Sequence, residues 1–295
     1  MSDKLLVTGA SGQLGRLVID ELLARGIAPQ RIVATTRKPE ALAALAARGI
    51  EVRAADFDDS AALTRAFAGV QRLLLISTDA LDAPGKRLAQ HRNAVQAAVA
   101  ADVRHVVYTS MPRPEPGSPV PFAPDHYGTE QALAASPLGW TVLRNCWYMQ
   151  NLLAGLRGSL PGGQWYSAAG EGRVAYVSRE DCARAAAAAL ASESSGNATY
   201  DITGPEALTT AEIAGLVSKI ANRPLAVVPV TPEALGQGLA AHGVPGFFVP
   251  VLVSFDVNTA QGNVAQVSDA VQRLTGRAPQ RLADFLKTHR AELAA

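Results

Sequence analysis

In the stretch Lys4-Leu-Leu-Val-Thr-Gly-Ala-Ser-Gly-Gln-Leu-Gly15, glycines at 9, 12 and 15 follow a short apolar run. An amphipathic segment from Gln13 to Arg25 comes directly after. That order of residue types serves anion binding. The first turn of a helix leaves backbone N–H groups without partners, and the helix dipole makes that end favourable for negative charge. Glycine lets the chain bend sharply there and lets a phosphate come close where a Cβ would block it. Thr8, Gly9, Ser11, Gly12, Gln13, Leu14 and Gly15 are therefore the expected cradle of a dinucleotide pyrophosphate, provided a strand precedes them and a helix follows.

Two further groups bear on which dinucleotide is bound. An NAD site places a carboxylate on the ribose hydroxyls about 20 or more residues past such glycines. Here the apolar run ending at Thr35-Thr36 is followed by Arg37-Lys38-Pro39. A carboxylate would repel a 2′-phosphate, whereas arginine grips one in a bidentate fork. The pair predicts NADPH (NADP) as the cofactor, the alternative being two charges that solvate a loop. Asp56-Phe57 is placed to meet the adenine, the carboxylate at its exocyclic amine and the ring beside the base. A turn or N-cap aspartate would explain Asp56 equally well.

The reacting groups are harder to place. Short-chain dehydrogenases carry Tyr-x-x-x-Lys after a fifth strand, and the lysine helps the tyrosine to protonate a developing alkoxide. This chain has Thr109-Ser110 and Tyr127, but Gln131 stands where the lysine would be. A neutral amide cannot bias Tyr127 away from about 10 as an ammonium would. The loss favours acceptors that stabilise their own charge, such as a quinone, whose reduced oxygen is phenol-like with a pKa of roughly 10. Tyr127 is the candidate proton donor. His126 is a second candidate catalytic residue: with Glu130 one turn on, both could face a nicotinamide, or form a solvated pair or cap. Trp147 and Tyr148 could floor a flat substrate pocket or pack the core. Cys146 is expected to be a buried, inert thiol, and the histidines show no metal-ligand spacing.

The elements that must position these groups alternate. Short apolar runs at Leu5–Thr8, Ile32–Thr36, Glu51–Ala54, Leu73–Ser77, His105–Ser110 and Thr141–Arg144 read as strands. Between them, Leu14–Leu23, Ala41–Ala47, Ala61–Phe67, Leu88–Ala101 and Tyr127–Ala135 have helical spacing. Such alternation predicts an α/β fold, a Rossmann-type doubly wound parallel sheet with its ligand beyond the carboxyl ends of the strands. Residues 151–172 read as loops and a short helix. Arg179–Ser192 reads as a helix, Thr199–Thr203 as a strand rejoining the sheet, and Thr209/Thr210 as the cap of a helix through Ala221. Leu225–Val230 reads as a strand, with two or three helices beyond. The expected division is a cofactor-binding Rossmann domain over 1–150 with 173–204, and a smaller α/β substrate-binding domain over 151–172 and 205–295. Met111–Pro124 carries six prolines and reads as either a lid or a stiff connector.

Bulk properties exclude other classes. The 295 residues carry a net charge of +1 without a basic run, which argues against a nucleic-acid partner. No apolar run approaches the roughly 20 residues of a membrane span. Residues 1–8 hold Asp3 and Lys4 and lead straight into the glycine turn, unlike a secretory leader. Two cysteines are too few for a disulfide framework. A cytoplasmic setting is expected. Phe247-Phe248 and the apolar run to Phe255 could wall a pocket, pack the second domain or form a homodimer contact.

Taken together, Val7–Gly15, the Arg37 segment, Arg53-Ala-Ala-Asp-Phe57, Leu73–Ser77, Gln90-His-Arg-Asn93, Tyr108-Thr-Ser110, His126-x-x-Thr-Glu130, Leu143–Tyr148, Ala168–Gly172 and Arg179-Glu-Asp181 carry a resemblance. The sequence is similar to the NmrA-like, atypical short-chain dehydrogenase family, in particular its NADPH-dependent quinone oxidoreductase type 2 branch. The likeness weakens after about residue 230. It implies NADPH along the Rossmann cleft, cofactor roles for the glycine turn, Arg37, Asp56, Phe57, Ser77 and Asn145, and positions for Trp147 and Tyr148 near the nicotinamide pocket. That branch has lysine where this chain has Gln131; the related triphenylmethane dye reductase also lacks it. The expected function is hydride transfer from NADPH to quinones or similar electron-poor conjugated acceptors. The alternative is a non-catalytic NADP(H)-sensing regulator of the NmrA type.

Overall fold

The structure is a computed structural model that describes residues 3–81 and 83–294. Its strands are β1 (Lys4–Val7), β2 (Ile32–Thr36), β3 (Glu51–Ala54), β4 (Val70–Leu75), β5 (His105–Ser110), β6 (Gly139–Asn145), β7 (Gln164–Ser167), β8 (Arg173–Val174), β9 (Ala198–Ile202), β10 (Leu208–Thr209) and β11 (Ala226–Pro229). The α-helices are α1 (Gln13–Ala24), α2 (Ala43–Ala46), α3 (Ser60–Phe67), α4 (Lys86–Ala100), α5 (Ala123–Ala134), α6 (Met149–Ser159) and α7 (Arg179–Ala191). They continue with α8 (Thr210–Ala221), α9 (Pro232–Ala241), α10 (Val249–Ala260), α11 (Ala270–Thr275), α12 (Leu282–Thr288) and α13 (Arg290–Ala294).

Seven strands form one sheet in the order β3-β2-β1-β4-β5-β6-β9, and every pair in it is parallel. This is the doubly wound Rossmann-type α/β sheet that the alternating pattern predicts. Strand order reverses between β1 and β4, so the crevice for a ligand opens where those two strands end. Two small sheets lie outside it, β8 with β10 antiparallel and β7 with β11 parallel.

The strands are buried on both faces because alternate side chains feed different cores. Leu5, Val7, Leu74 and Val107 join a cluster with Val18, Ile19 and Leu22 of α1 and the alanines of α7. Leu6, Leu73, Leu75, Val106 and Tyr108 join another with Leu63, Phe67, Ala94, Ala98 and Leu133 of α3, α4 and α5. The run Ala185–Ala189 lets α7 lie close against α1. Arg72 on β4 ties down the far end of α7 by donating to the carbonyls of Ala189, Leu190 and Ser194. The first cluster also takes in Leu152 and Leu156 of α6, Ile213 and Val217 of α8, and Phe285 and Leu286 of α12. One apolar core thus runs from the sheet into the carboxyl-terminal region.

Several boundaries differ from the sequence pattern. α5 begins at Ala123 rather than near Tyr127, with Pro124 in its first turn, where a missing N–H costs nothing. The helix expected within 151–172 starts earlier, at Met149, and runs to Ser159, and the stretch also holds strand β7; β7 is half-exposed and pairs with distant β11. β4 starts at Val70 and ends at Leu75, short of Ser77. Among the described residues, no helix is long and apolar enough to cross a membrane.

Candidate active site

At the end of β1 the chain turns through Gly9, whose φ is +59°, a conformation that disfavours any side chain. Gly12 is the N-cap of α1 and offers no side-chain cap, so the opening turn of the helix keeps its anion-seeking character. A Cβ on Gly15 would lie 2.5 Å from Gly9 O and 2.8 Å from Ala10 Cα; glycine is what lets α1 press against the turn. The turn is laced to β2 by Ala10 N–H donating to Thr35 O and by a 3.1 Å hydrogen bond between Ser11 Oγ and Thr36 Oγ1. Gly9, Ser11, Gly12 and Gln13 are exposed, whereas Leu14 contributes its side chain to the core. Thr8 is the first residue past β1. It is fully buried, donating to Leu74 O and accepting from Ile76 N–H, so it supports the turn from beneath.

Arg37 and Lys38 follow β2 directly and are exposed. Arg37 has no ion pair among the described residues, which leaves its fork open. Asp56 is exposed, and its Oδ1 accepts from Asp58 N–H at 3.0 Å, a local turn that leaves a second oxygen outward. Phe57 packs partly against the α3–α4–α5 core, and its carbonyl accepts from Asn93 of α4 at 2.9 Å.

The carboxyl ends of β4 and β6 build the other end of the cleft. Ser77 N–H donates to Thr109 Oγ1 at 2.9 Å. Asn145 is buried at 6% exposure; its amide donates to the Tyr148 hydroxyl at 3.2 Å, while Oδ1 is buried without a partner. Buried polar atoms are nearly always satisfied, so this oxygen marks a place for a donor from a ligand. The Tyr148 ring carries the Arg179 guanidinium 4.9 Å from its centroid, and burial raises its hydroxyl pKa above the ordinary tyrosine value. Trp147 packs 4.8 Å from Phe255 beside Met111, Val120 and Phe122, with its indole N–H buried and unpartnered. The Met111–Pro124 segment is thereby held by apolar contacts. A glycine cradle at the end of β1 and an unpaired carboxamide oxygen at the end of β6, with β4 and β5 between them along the same sheet edge, fit an extended dinucleotide with a nicotinamide amide.

His126 and Glu130 do not share the face that their spacing allowed. The catalytic expectation for His126 is corrected: its ring is buried, Nδ1 lies 2.8 Å from the Tyr108 hydroxyl, and Nε2 lies 3.1 Å from an Arg87 N–H. Burial and then the Arg87 charge hold its pKa well below the usual range. His91, fully buried, is lowered to about 3 by the same causes in the same order. Unfolded histidine titrates near 6.5, so from there down toward 3 the unfolded chain binds more protons than the folded one. Stability therefore falls as pH drops below about 6.5, at about 1.4 kcal/mol per pH unit for each ring. Urea denaturation should show less stability at pH 5 than at pH 7, by about 2 kcal/mol from His91 alone, with His126 and the buried His105, lowered to about 4, acting in the same direction; equal midpoints would mean that the rings accept protons in the fold.

Glu130 instead caps a partly buried charge. It accepts from Arg144 Nε at 3.1 Å and Nη2 at 2.7 Å, and from Ser110 Oγ at 2.6 Å. Glu115 adds a third carboxylate contact at 2.7 Å. Removing one partner of such a pair strands the other, so Glu130→Ala should destabilise the protein by about 3 kcal/mol. Guanidinium denaturation of both proteins is the check. Tyr127 is half-buried, and Gln131 is exposed one turn on. Cys146 is buried, and burial pushes its thiol up to about 12. Arg87, Tyr108 and Thr129, which bind the two histidines, are scattered along the chain, and no spacing in the sequence marks them.

Comparison with known proteins returns the NmrA-like family, whose model matches residues 1–274. Quinone oxidoreductase 2 of Escherichia coli is 36% identical over 280 residues, covering 95% of this chain and 96% of that protein. The crystal structure of NADPH-dependent quinone oxidoreductase from Escherichia coli complexed with NADPH has a TM-score of 0.91 at 36% identity, covering 96% of this chain and 98% of the other. Triphenylmethane reductase of Citrobacter sp. complexed with NADP(H) has a TM-score of 0.89 at 35% identity, covering 96% and 99%.

Proposed function

This chain belongs to the NmrA-like family, and on that premise we propose that it is an NADPH-dependent oxidoreductase that reduces quinones and similar electron-poor conjugated acceptors. It is an enzyme rather than a regulator: its relatives along the whole chain are a quinone oxidoreductase and a dye reductase that bind NADP(H). The observation that carries the reading is the placement of the glycine turn and the unpaired Asn145 oxygen at the carboxyl ends of β1 and β6, along the same edge of one parallel sheet.

The reduced nicotinamide supplies the hydride. The chain supplies position: first-turn amides and Gly12 hold the pyrophosphate, Arg37 the 2′-phosphate, and Asn145 Oδ1 accepts from the carboxamide. Asp56 and Phe57 border the adenine, and Ser77 borders the ribose. Trp147 and Tyr148 present ring surface to a flat acceptor, whose approach to the nicotinamide is then a matter of proximity and orientation. We divide the labour between residues 1–150 with 173–204, which bind cofactor, and 151–172 with 205–295, which cover the acceptor. The setting is cytoplasmic, and the exposed Phe247 (71%) beside Phe248 is the proposed homodimer contact, which light scattering on the purified protein tests.

Tyr127 delivers the proton. The reduced acceptor oxygen is phenol-like, with a pKa of roughly 10, and needs little help. Where a general acid is essential its loss costs about 100-fold or more; Tyr127→Phe should cost less than about tenfold in kcat with a quinone. The function itself is tested by mixing NADPH anaerobically with a panel of small quinones and following the reduced-nicotinamide absorbance. No loss with any acceptor, despite cofactor binding, would return the sensor.

A further inference from the structure

The chain leaving β4 is clamped in an unusual way. Three consecutive backbone N–H groups donate to buried side chains: Ile76 to Thr8 Oγ1 at 2.9 Å, Ser77 to Thr109 Oγ1 at 2.9 Å, and Thr78 to His91 Nε2 at 3.0 Å. A strand exit ordinarily leaves such donors to water or to a turn. Here all three successive N–H groups of a short ledge, Ile76–Thr78, are held, with longer hydroxyl contacts between Ser77 and Thr109 and between Thr78 and His91 beside them, both at 3.4 Å. It flanks the cofactor turn directly, since the Cβ position at Gly9 lies 3.8 Å from Ile76 Cβ.

Two of the three clamps come from the ends of neighbouring strands. The third, His91, reaches in from α4, and its tautomer is dictated by what surrounds it. Nε2 must accept, because a peptide N–H can only donate. Nδ1 therefore carries the proton and faces Thr129 Oγ1 at 2.9 Å. Thr129 in turn donates to Asp125 O at 2.6 Å, which frees its lone pairs for that N–H. The Tyr108 hydroxyl lies 3.4 Å from the same nitrogen and links it to His126 and Arg87. Both rings, the Tyr108 and Thr129 side chains and Arg87 are buried, so the His91 ring is fixed from behind and presents one lone pair to the ledge.

We propose that His91 is a positioning residue for the cofactor, holding the Ser77–Thr78 ledge at the height where the nicotinamide half of the dinucleotide rests. The proposal depends on the assignment of Ser77 to the cofactor wall. It places the effect on the outer nitrogen of His91 and not on its packing.

Two amides divide the ring. In His91→Gln the side-chain oxygen stands near the Nε2 position and can accept from Thr78, while the Nδ1 donor is lost. In His91→Asn the amide nitrogen stands near Nδ1 and can donate to Thr129, while the acceptor for Thr78 is lost. His91→Asn and His91→Ala should weaken NADPH binding about tenfold, with His91→Gln restoring most of it. Calorimetric NADPH titration of each folded variant reads this directly. Retained affinity in the asparagine variant, with loss in the glutamine variant, would overturn the proposal, because the inner half of the ring would then be what matters. The wild-type protein gives a second reading that needs no variant: the Thr78 amide should exchange slowly for a loop residue, and more slowly still with NADPH bound. Exchange as fast as an open loop would also overturn it. Both readouts use cofactor binding, so a protein that binds NADPH without reducing quinones would refute the proposed activity and leave this inference standing or falling by itself.

Discussion

Gly15→Ala should bind NADPH at least about 100-fold more weakly than the native protein, and it should lose the thermal stabilisation that the nucleotide confers. The reason is a contact with no give. The added methyl would stand 2.5 Å from Gly9 O, 2.8 Å from Ala10 Cα and 3.0 Å from Gly9 C, and all three are backbone atoms of the turn itself. Relief requires α1 to back away from the turn. That motion pulls Val18, Ile19 and Leu22 off the sheet, at a cost of about 1–3 kcal/mol for overpacking of this kind. It also displaces the first-turn amides from the phosphates, where a shift of about 1 Å is enough to cost 100-fold in a positioned contact. Gly12→Ala is the informative partner, because its methyl would meet only Gly9 O, at 3.2 Å. It should fold almost normally and still bind poorly, since the Cβ stands where a phosphate must approach. Fluorescence titration with NADPH and thermal melts with and without it separate the two effects. Near-native affinity in Gly15→Ala would remove the cradle from the mechanism.

How far this site could be read from the sequence depends on how local each signal is. The glycine turn was legible because strand, turn and helix are adjacent in the chain, and the physics that needs glycine at 9, 12 and 15 acts over a few residues. The parallel sheet was legible for the same reason: each strand is a short β-branched or leucine-rich run between helical spacings. β7 was not, because Gln164–Ser167 is half-exposed and gains its partner only from residues 226–229. Proline obscured the start of α5, since six prolines suggest a connector until one is seen to occupy a first helical turn. His126 shows the limit most clearly. Spacing put it on one face with Glu130, but the interior offers His126 a tyrosine hydroxyl and a buried guanidinium, and offers Glu130 a cation at the end of β6. Side chains one turn apart can still part company when different partners compete for each. Asn145 was marked only by resemblance, and its empty acceptor site emerges only from the packing around it.

On the proposed assignment, the choice of NADPH over NADH rests on Arg37, an exposed side chain beyond β2. Arg37 is exposed and has no ion pair among the described residues, so substituting it breaks no internal ion pair and fold stability should hold within about 0.5 kcal/mol. Its value appears only when a 2′-phosphate, carrying about −1.5 to −2 charge, lies at the end of β2. Hydrogen bonds to a charged group contribute about 1.5–3 kcal/mol, and Arg37→Glu both deletes them and sets a carboxylate against the phosphate. kcat/KM for NADPH should fall about 100-fold or more. The same carboxylate can accept from a free 2′-hydroxyl, so kcat/KM for NADH should hold or rise, and the cofactor ratio should shift by at least two orders of magnitude. Lys38→Ala tests which cation matters. It keeps the neighbouring guanidinium and its fork, and a lone ammonium on a flexible stem is a weaker phosphate grip, so the ratio should move by less than about tenfold. Because the contact is exposed, the Arg37 effect should shrink as salt is raised from 0.05 to about 0.5 M, with the Debye length falling well below 10 Å. A cofactor ratio left unchanged by Arg37→Glu, or changed more by Lys38→Ala, would place the 2′-phosphate somewhere other than beyond β2.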